Sequence, residues 1–121
     1  MSKLQHIQLA TNLAGQHTVT FLASAEYQAN VAMLEDTLTK GEAESKQLIN
    51  ESRTSRKRLL RRLKNLRKTI EAFGPFGKGK EDRIAADALK KIYNDFLEDV
   101  NETDADLTAA VETFNALYKA N

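Results

Sequence analysis

The last third of the chain carries the apolar stripe that most constrains the fold. From Ala86 to Leu117, an apolar or small residue recurs in alternating steps of three and four over 32 positions. The members are Ala86, Leu89, Tyr93, Phe96, Val100, Thr103, Leu107, Ala110, Phe114 and Leu117. This spacing puts them on one side of an α-helix, and its persistence over four heptads is typical of coiled-coil-like packing. We expect one helix over about 80–120, with a break near 101–106, among weak helix formers, as the alternative.

A second helix is expected over about 42–73. Its apolar stripe is formed by Leu59, Leu63, Leu66, Ile70 and Phe73, in steps of four and three. Residues 74–79 follow it with three of the five glycines and the only proline, which is typical of a turn between helices.

The first third of the chain is expected to form a helix over about 12–40. One apolar face contains Leu13, Tyr27, Val31, Leu34 and Leu38, and a second contains Phe21, Ala25, Ala29 and Ala32. A helix with two apolar faces is usually sandwiched between others. Residues 1–11 are expected to form a short separate segment, either a helix or an extended arm.

These elements predict an all-α fold, an antiparallel up-and-down bundle of three long helices in a single domain over residues 1–121. Short connections make neighbouring helices antiparallel, and 121 residues suit one domain. A break near 101–106 would make four helices. The chain has no cysteine, which excludes disulfides, thiolate nucleophiles and cysteine-based metal sites. A helix near 40 residues is long for a chain of this size, which favours self-association into a homo-oligomer.

The net charge of +1 is an average over three blocks of different sign. Residues 1–52 carry three basic and six acidic side chains, residues 53–80 carry eleven basic and one acidic, and residues 81–121 carry four basic and ten acidic. Within the middle block, nine cations fall in the sixteen residues 53–68 without a single acid. Such blocks interact either with each other or with an outside partner.

The basic segment has two interpretations. If the turn at 74–79 makes an antiparallel hairpin, residue i lies near residue 153 − i, and 53–58 would face Asp95, Glu98 and Asp99. Nearer the turn, 61–68 would face 85–92, which contains Asp87 but also Lys90 and Lys91, so about half of the basic segment would stay uncompensated. The other interpretation is a binding face for a polyanion or an acidic partner. The residues predicted to form it are Arg58, Arg61, Arg62, Lys64, Arg67 and Lys68.

Other sites find little support in the sequence. His6 and His17 are eleven residues apart and lack metal-ligand spacing, and the acidic run with Asp99, Glu102, Asp104 and Asp106 does not follow an EF-hand pattern. The segment 74–80 lacks the P-loop spacing. Leu4–Ala25 is free of charged residues but holds many polar ones, and no secretory pattern follows Lys3. We therefore expect a cytoplasmic protein without metal, cofactor, catalysis or integral membrane association.

Both ends of the chain resemble an uncharacterised all-helical family from Bacteroidetes. The resemblance rests on Lys3-Leu4-Gln5-His6-Ile7, Asn12-Leu13, His17 and the closing Phe114-Asn115-Ala116-Leu117-Tyr118. It implies an all-α bundle of bacterial or bacteriophage origin and assigns no activity, cofactor or site residue.

The function expected from the sequence is that of a non-enzymatic helical interaction or structural protein. The basic helical face at 53–68 would bind an acidic partner protein or mediate self-assembly. The alternative is non-specific nucleic-acid binding through the same helix, although residues 53–68 contain no aromatic side chain for base stacking.

Overall fold

Three long helices make up nearly all of the described structure. A computed structural model describes residues 3–72 and 80–119, with α1 at Lys3–Thr37, α2 at Glu42–Ala72 and α3 at Lys80–Tyr118. Each helix contacts both of the others. The predicted all-α bundle of three long helices is confirmed, and α3 runs through 101–106 without a break.

The connection between α1 and α2 lies where the sequence predicts it. The Lys40 amide donates to the Thr37 carbonyl at 2.9 Å, which closes a turn after α1. Gly41 precedes α2, and the Glu44 carboxylate occupies the space that a side chain at position 41 would need. Glu42 and Glu44 lie in the first turn of α2, where negative charge is stabilised by the helix dipole. The predicted turn at 74–79 lies outside the described residues.

The first helix begins earlier than predicted. It starts at Lys3 rather than near residue 12, so residues 3–11 continue α1 and do not form a separate segment. The segment Thr18–Phe21, with three β-branched residues, is also helical. Neither proline nor a cap signal stops the helix here, and Thr18 and Thr20 bond back to carbonyls four residues earlier at 3.0 and 2.6 Å. This continuity makes α1 35 residues long.

The core is built from the predicted apolar stripes of all three helices. Tyr27, Leu34, Leu59 and Leu66 are at most 1% exposed. Most of the α3 stripe is buried with them, including Phe96, Val100, Leu107, Ala110 and Phe114. The stripe ends earlier than predicted, because Leu117 is half exposed and Tyr118 packs inward instead, donating its hydroxyl to the Leu38 carbonyl at 2.6 Å.

Small polar residues line the contact between α1 and α2. Thr20, Ser24, Ser45, Ser52 and Ser55 are all buried. Their small size lets the two helices approach closely, and most of their hydroxyls are satisfied locally, as where Ser45 donates to the Gly41 carbonyl at 2.7 Å. The exception is the Ser52 hydroxyl, which has no hydrogen-bond partner among the described residues.

Candidate functional site: a basic face on the second helix

The outward side of α2 carries a line of five cations, which we call the basic stripe. Arg53, Lys57, Arg61, Lys64 and Lys68 follow each other in steps of four, four, three and four, and all five are exposed. They lie opposite the buried Leu59, Leu63 and Leu66. At 1.5 Å per residue, the basic stripe is about 22 Å long.

The basic stripe finds no acidic partner within the described structure. None of its five side chains has a carboxylate within 4 Å among residues 7–72 and 83–119. Like charges four residues apart, such as Lys57 and Arg61, each cost the helix a few tenths of a kcal/mol. No described carboxylate therefore relieves the repulsion between these cations.

The six predicted binding residues do not share one side of α2. Arg61, Lys64 and Lys68 belong to the basic stripe, whereas Arg58 and Arg62 lie on the edge next to α1. Arg58 Nη1 contacts both carboxylate oxygens of Glu26, at 2.6 and 2.7 Å.

Arg62 and Arg67 also lie outside the basic stripe. Arg62 is half-buried, and its backbone carbonyl accepts a long bond from Thr20 at 3.5 Å. Arg67 is exposed beside the basic stripe and approaches Glu71, one turn later on α2, at 3.6 Å.

The predicted hairpin pairing is wrong by two helical turns. The expected acids Asp95, Glu98 and Asp99 make no ion pair with a described cation. Arg56 instead binds Asp104 through its Nε and one Nη, at 2.8 and 3.0 Å, seven residues beyond the position 97 that a sum of 153 would place opposite it. A shift of seven residues preserves the apolar seam, because that seam repeats every heptad.

Asp104 joins all three helices at one point. It accepts a hydrogen bond of 2.5 Å from the Tyr27 hydroxyl on α1 in addition to the two from Arg56 on α2. Burial favours the protonated form of the Asp104 carboxyl, but the bonds from Arg56 and Tyr27 outweigh it, so the pKa is lowered. The Asp104 bond raises the pKa of Arg56.

Tyr27 cannot serve as a catalytic base in this arrangement. Burial, followed by the bond to Asp104, raises the pKa of the Tyr27 phenol well above its usual value near 10. The phenol therefore stays protonated and acts as a donor, and its ring is inaccessible to solvent. The sequence carries one signal for this cluster, since Asp104 falls four residues after Val100 and three before Leu107, on the packed side of α3.

Three other acidic side chains of α3 lie away from α2. Asp99, Glu102 and Asp106 line a cleft of about 410 Å³ between α1 and α3, together with Glu35 of α1. Because each helix of the bundle contacts the other two, this cleft is on the opposite side of the molecule from the basic stripe. The fold therefore places these carboxylates far from the basic stripe.

His17 and a cleft between α1 and α2 are the remaining candidates. The His17 ring packs against Phe96, with centroids 5.5 Å apart. A polar cleft of about 590 Å³ between α1 and α2 includes Asn30, whose amide donates to the Ser55 hydroxyl at 3.1 Å. Among the described residues, no three histidine or acidic side chains are grouped so as to hold a metal ion. Residues 74–79 of the glycine-rich segment lie outside the described ranges.

Two further findings bear on function. No family model, curated protein or solved structure matches the chain. No helix in the described ranges contains a stretch long and apolar enough to cross a membrane.

Proposed function

We propose that this chain is a non-enzymatic helical interaction protein whose basic stripe binds an acidic protein surface. The observation that supports the proposal is the alignment of five exposed cations along about 22 Å of one helix, with no carboxylate within 4 Å among residues 7–72 and 83–119. A straight line of charges suits an elongated partner better than a small molecule.

The chain itself carries a surface of matching pattern. Lys57, Arg61, Lys64 and Lys68 are spaced by four, three and four residues, and so are Asp95, Asp99, Glu102 and Asp106 on α3. An acidic helix of this spacing can place a carboxylate opposite each cation. A second copy of the chain offers such a helix, and assembly through it would be head-to-tail because the two surfaces lie on opposite sides of the bundle.

The expected affinity is low. Exposed ion pairs contribute about 0.2–1 kcal/mol each, so four pairs supply about 1–4 kcal/mol. Leu60 is 37% exposed beside the basic stripe and adds a small apolar contact. Because every such pair stays exposed to water, the interaction should be transient and should weaken as salt screens the charges.

Binding of labelled poly-L-glutamate and of a mixed-sequence DNA duplex, followed by fluorescence anisotropy at 50 and 200 mM salt, tests the proposal. We expect polyglutamate to bind at 50 mM salt and to bind at least tenfold more weakly at 200 mM. The double variant Arg61→Glu, Lys64→Glu should lose this binding. The control Lys90→Glu, Lys91→Glu makes the same charge change at two exposed positions of α3 and should retain it.

Three outcomes contradict the proposal. The first is no polyglutamate binding at 50 mM salt, and the second is equal loss of binding in the control variant. The third is binding of DNA without binding of polyglutamate, which would assign the basic stripe to nucleic acid instead. Far-ultraviolet circular dichroism establishes that both variants keep their helices.

A further inference from the structure

The outward side of α1 is a long exposed face without charge. Its residues recur in steps of three and four, and every one of them is exposed. They are Leu4, Ile7, Thr11, Ala14, Thr18, Phe21, Ala25, Ala29 and Ala32, flanked by the exposed Gly15, Leu22 and Met33. We call these twelve residues the α1 outer face. The two apolar faces of this helix led us to expect a sandwiched helix, but within the described structure only one face is covered.

The large apolar side chains of the α1 outer face are well exposed. Leu4 is 79% exposed, Leu22 60% and Phe21 58%. Large contiguous apolar patches on a protein surface mark interaction sites. The basic stripe is on α2, so this face is a different surface from the one used in the proposed function.

The polar groups on this face are already satisfied. The Thr11 hydroxyl donates to the Ile7 carbonyl and the Thr18 hydroxyl to the Ala14 carbonyl, both at 3.0 Å. Each threonine thus has its donor satisfied within its own helix. Covering the face would therefore leave no hydroxyl donor without a hydrogen-bond partner. An unpaired buried donor is the usual cost of burying a polar residue.

Gly15 lies in the interior of α1, although no described residue crowds this position and so requires a glycine there. A Cβ added at this position would meet nothing within 4 Å. Glycine in a helix interior costs stability relative to alanine, and it is favoured where another backbone must approach closely. The open side of Gly15 is the α1 outer face.

The size pattern of the face is complementary to itself in the antiparallel direction. If two copies of α1 cross antiparallel at Thr18, residue i of one lies opposite residue 36 − i of the other. Leu4 then meets Ala32, Ile7 meets Ala29, Leu22 meets Ala14 and Phe21 meets Gly15. In each of these pairs a large side chain faces a small one. A parallel pairing would place Leu4 on Leu4 and Phe21 on Phe21 instead.

We propose that a second copy of this chain covers the α1 outer face, in a two-fold dimer whose antiparallel α1 helices cross at Thr18. Such an interface is isologous, with the same patch on both subunits. Ala14 and Thr18 also line an apolar cleft of about 540 Å³ between α1 and α3. A second copy that packs on Ala14 and Thr18 therefore also covers the rim of this cleft.

Sedimentation equilibrium over 5–500 µM protein, at 50 and 500 mM salt, tests the dimer. We expect a dimer whose dissociation constant rises less than threefold at high salt, because the contact is apolar. Ala25→Glu puts a charge on the exposed face without disturbing the core and should weaken the dimer at least thirtyfold. The same substitution at the exposed Ala105 of α3 should leave it intact.

The Arg61→Glu, Lys64→Glu variant separates this dimer from assembly through the basic stripe. It should keep the dimer even if polyglutamate binding is lost. A monomer at every concentration overturns the inference, as does an Ala25→Glu variant that dimerises like the wild type. Dimerisation that disappears in both 500 mM salt and the Arg61→Glu, Lys64→Glu variant would also overturn it, since the contact would then belong to the basic stripe.

Single cysteines test the register, because the chain has no thiol of its own. Thr18→Cys lies at the two-fold axis and should form a disulfide-linked dimer rapidly under mild oxidation. Leu4→Cys should link at least tenfold more slowly, since its counterpart lies at the far end of the antiparallel pair. Equal rates for the two variants would refute the antiparallel arrangement.

Discussion

Asp104→Asn tests the contact that joins the three helices. The asparagine has nearly the same shape but lacks the charge, and its amide nitrogen would place a donor against a donor of Arg56. Hydrogen bonds to a charged group contribute about 1.5–3 kcal/mol each. The full value does not apply, because the side chains of Arg56 and Asp104 are 39% and 29% exposed and water replaces part of what is lost. The amide oxygen can also still accept from Tyr27. We expect a loss of about 2 kcal/mol in the free energy of unfolding at pH 7, since charge is lost but part of the bonding remains.

The pH dependence of this loss identifies its cause. The pKa of Asp104 is lower in the folded chain than the unfolded value near 3.9, so the native state binds a proton less readily. The stabilisation is therefore fully present above the unfolded pKa and disappears as pH falls through the folded pKa. The difference between wild type and Asp104→Asn should be constant between pH 6 and 8 and should shrink progressively below about pH 4. Comparing the two chains cancels the titration of the other carboxylates.

Urea unfolding at several pH values, followed by circular dichroism at 222 nm, measures the effect. Thermal unfolding at pH 7 gives a second measure. The melting temperature of Asp104→Asn should be lower than that of the wild type by roughly 8 °C, taking about 4 °C per kcal/mol for a domain of this size. Asp106→Asn, two residues away on the exposed side of α3, is the control and should change stability by less than about 0.5 kcal/mol. An Asp104→Asn loss below 0.5 kcal/mol, or one that persists undiminished at the acidic end, would refute the reasoning.

Three further substitutions examine the packing, each measured by urea unfolding at pH 7. Leu66→Ala removes a fully buried side chain and should cost about 2–5 kcal/mol, so a loss under 1 kcal/mol would mean that the site is not packed as described. Ser52→Ala removes a buried hydroxyl that has no hydrogen-bond partner among the described residues. The substitution should be neutral or should stabilise the fold by about 1 kcal/mol. A clear loss of unfolding free energy would indicate a hydrogen bond that the structure does not contain. Arg58→Ala breaks an ion pair whose side chains are 43% and 45% exposed and should cost no more than about 1 kcal/mol, and a larger loss would contradict the weak contribution assigned to this pair.

The fold could be predicted because its determinants are local and periodic. The stripe on α3 keeps its phase through 101–106, and the structure keeps the helix there despite several weak helix formers. Periodicity does not locate helix ends equally well. The start of α1 is predicted too late because this part of the helix buries little: Leu4, Ile7, Gln8, Ala10 and Thr11 are all exposed, so no core stripe marks it as helical.

The pairing of helices was harder to predict than the helices themselves. Two registers that differ by seven residues bury nearly the same apolar seam, so hydrophobic pattern alone does not choose between them. The observed register is the one in which Asp104 meets both Arg56 and Tyr27. Three-body contacts of this kind depend on residues far apart in sequence. The same difficulty applies to the basic segment, where Arg58 met an acid on α1, Glu26, rather than one on α3.

The two exposed surfaces have different physical origins and therefore different responses to salt. The basic stripe consists of like charges that repel one another along α2. An acidic partner that binds there relieves this repulsion, and this electrostatic gain becomes smaller as ionic strength rises. The α1 outer face has no charge from Leu4 to Ala32, and covering it removes apolar area from water, a contribution that salt does not screen. A single salt titration of self-association can therefore separate the two contacts. The near-zero net charge of the chain favours neither contact, because it is the sum of a basic block at 53–80 and an excess of acids before and after that block in the sequence.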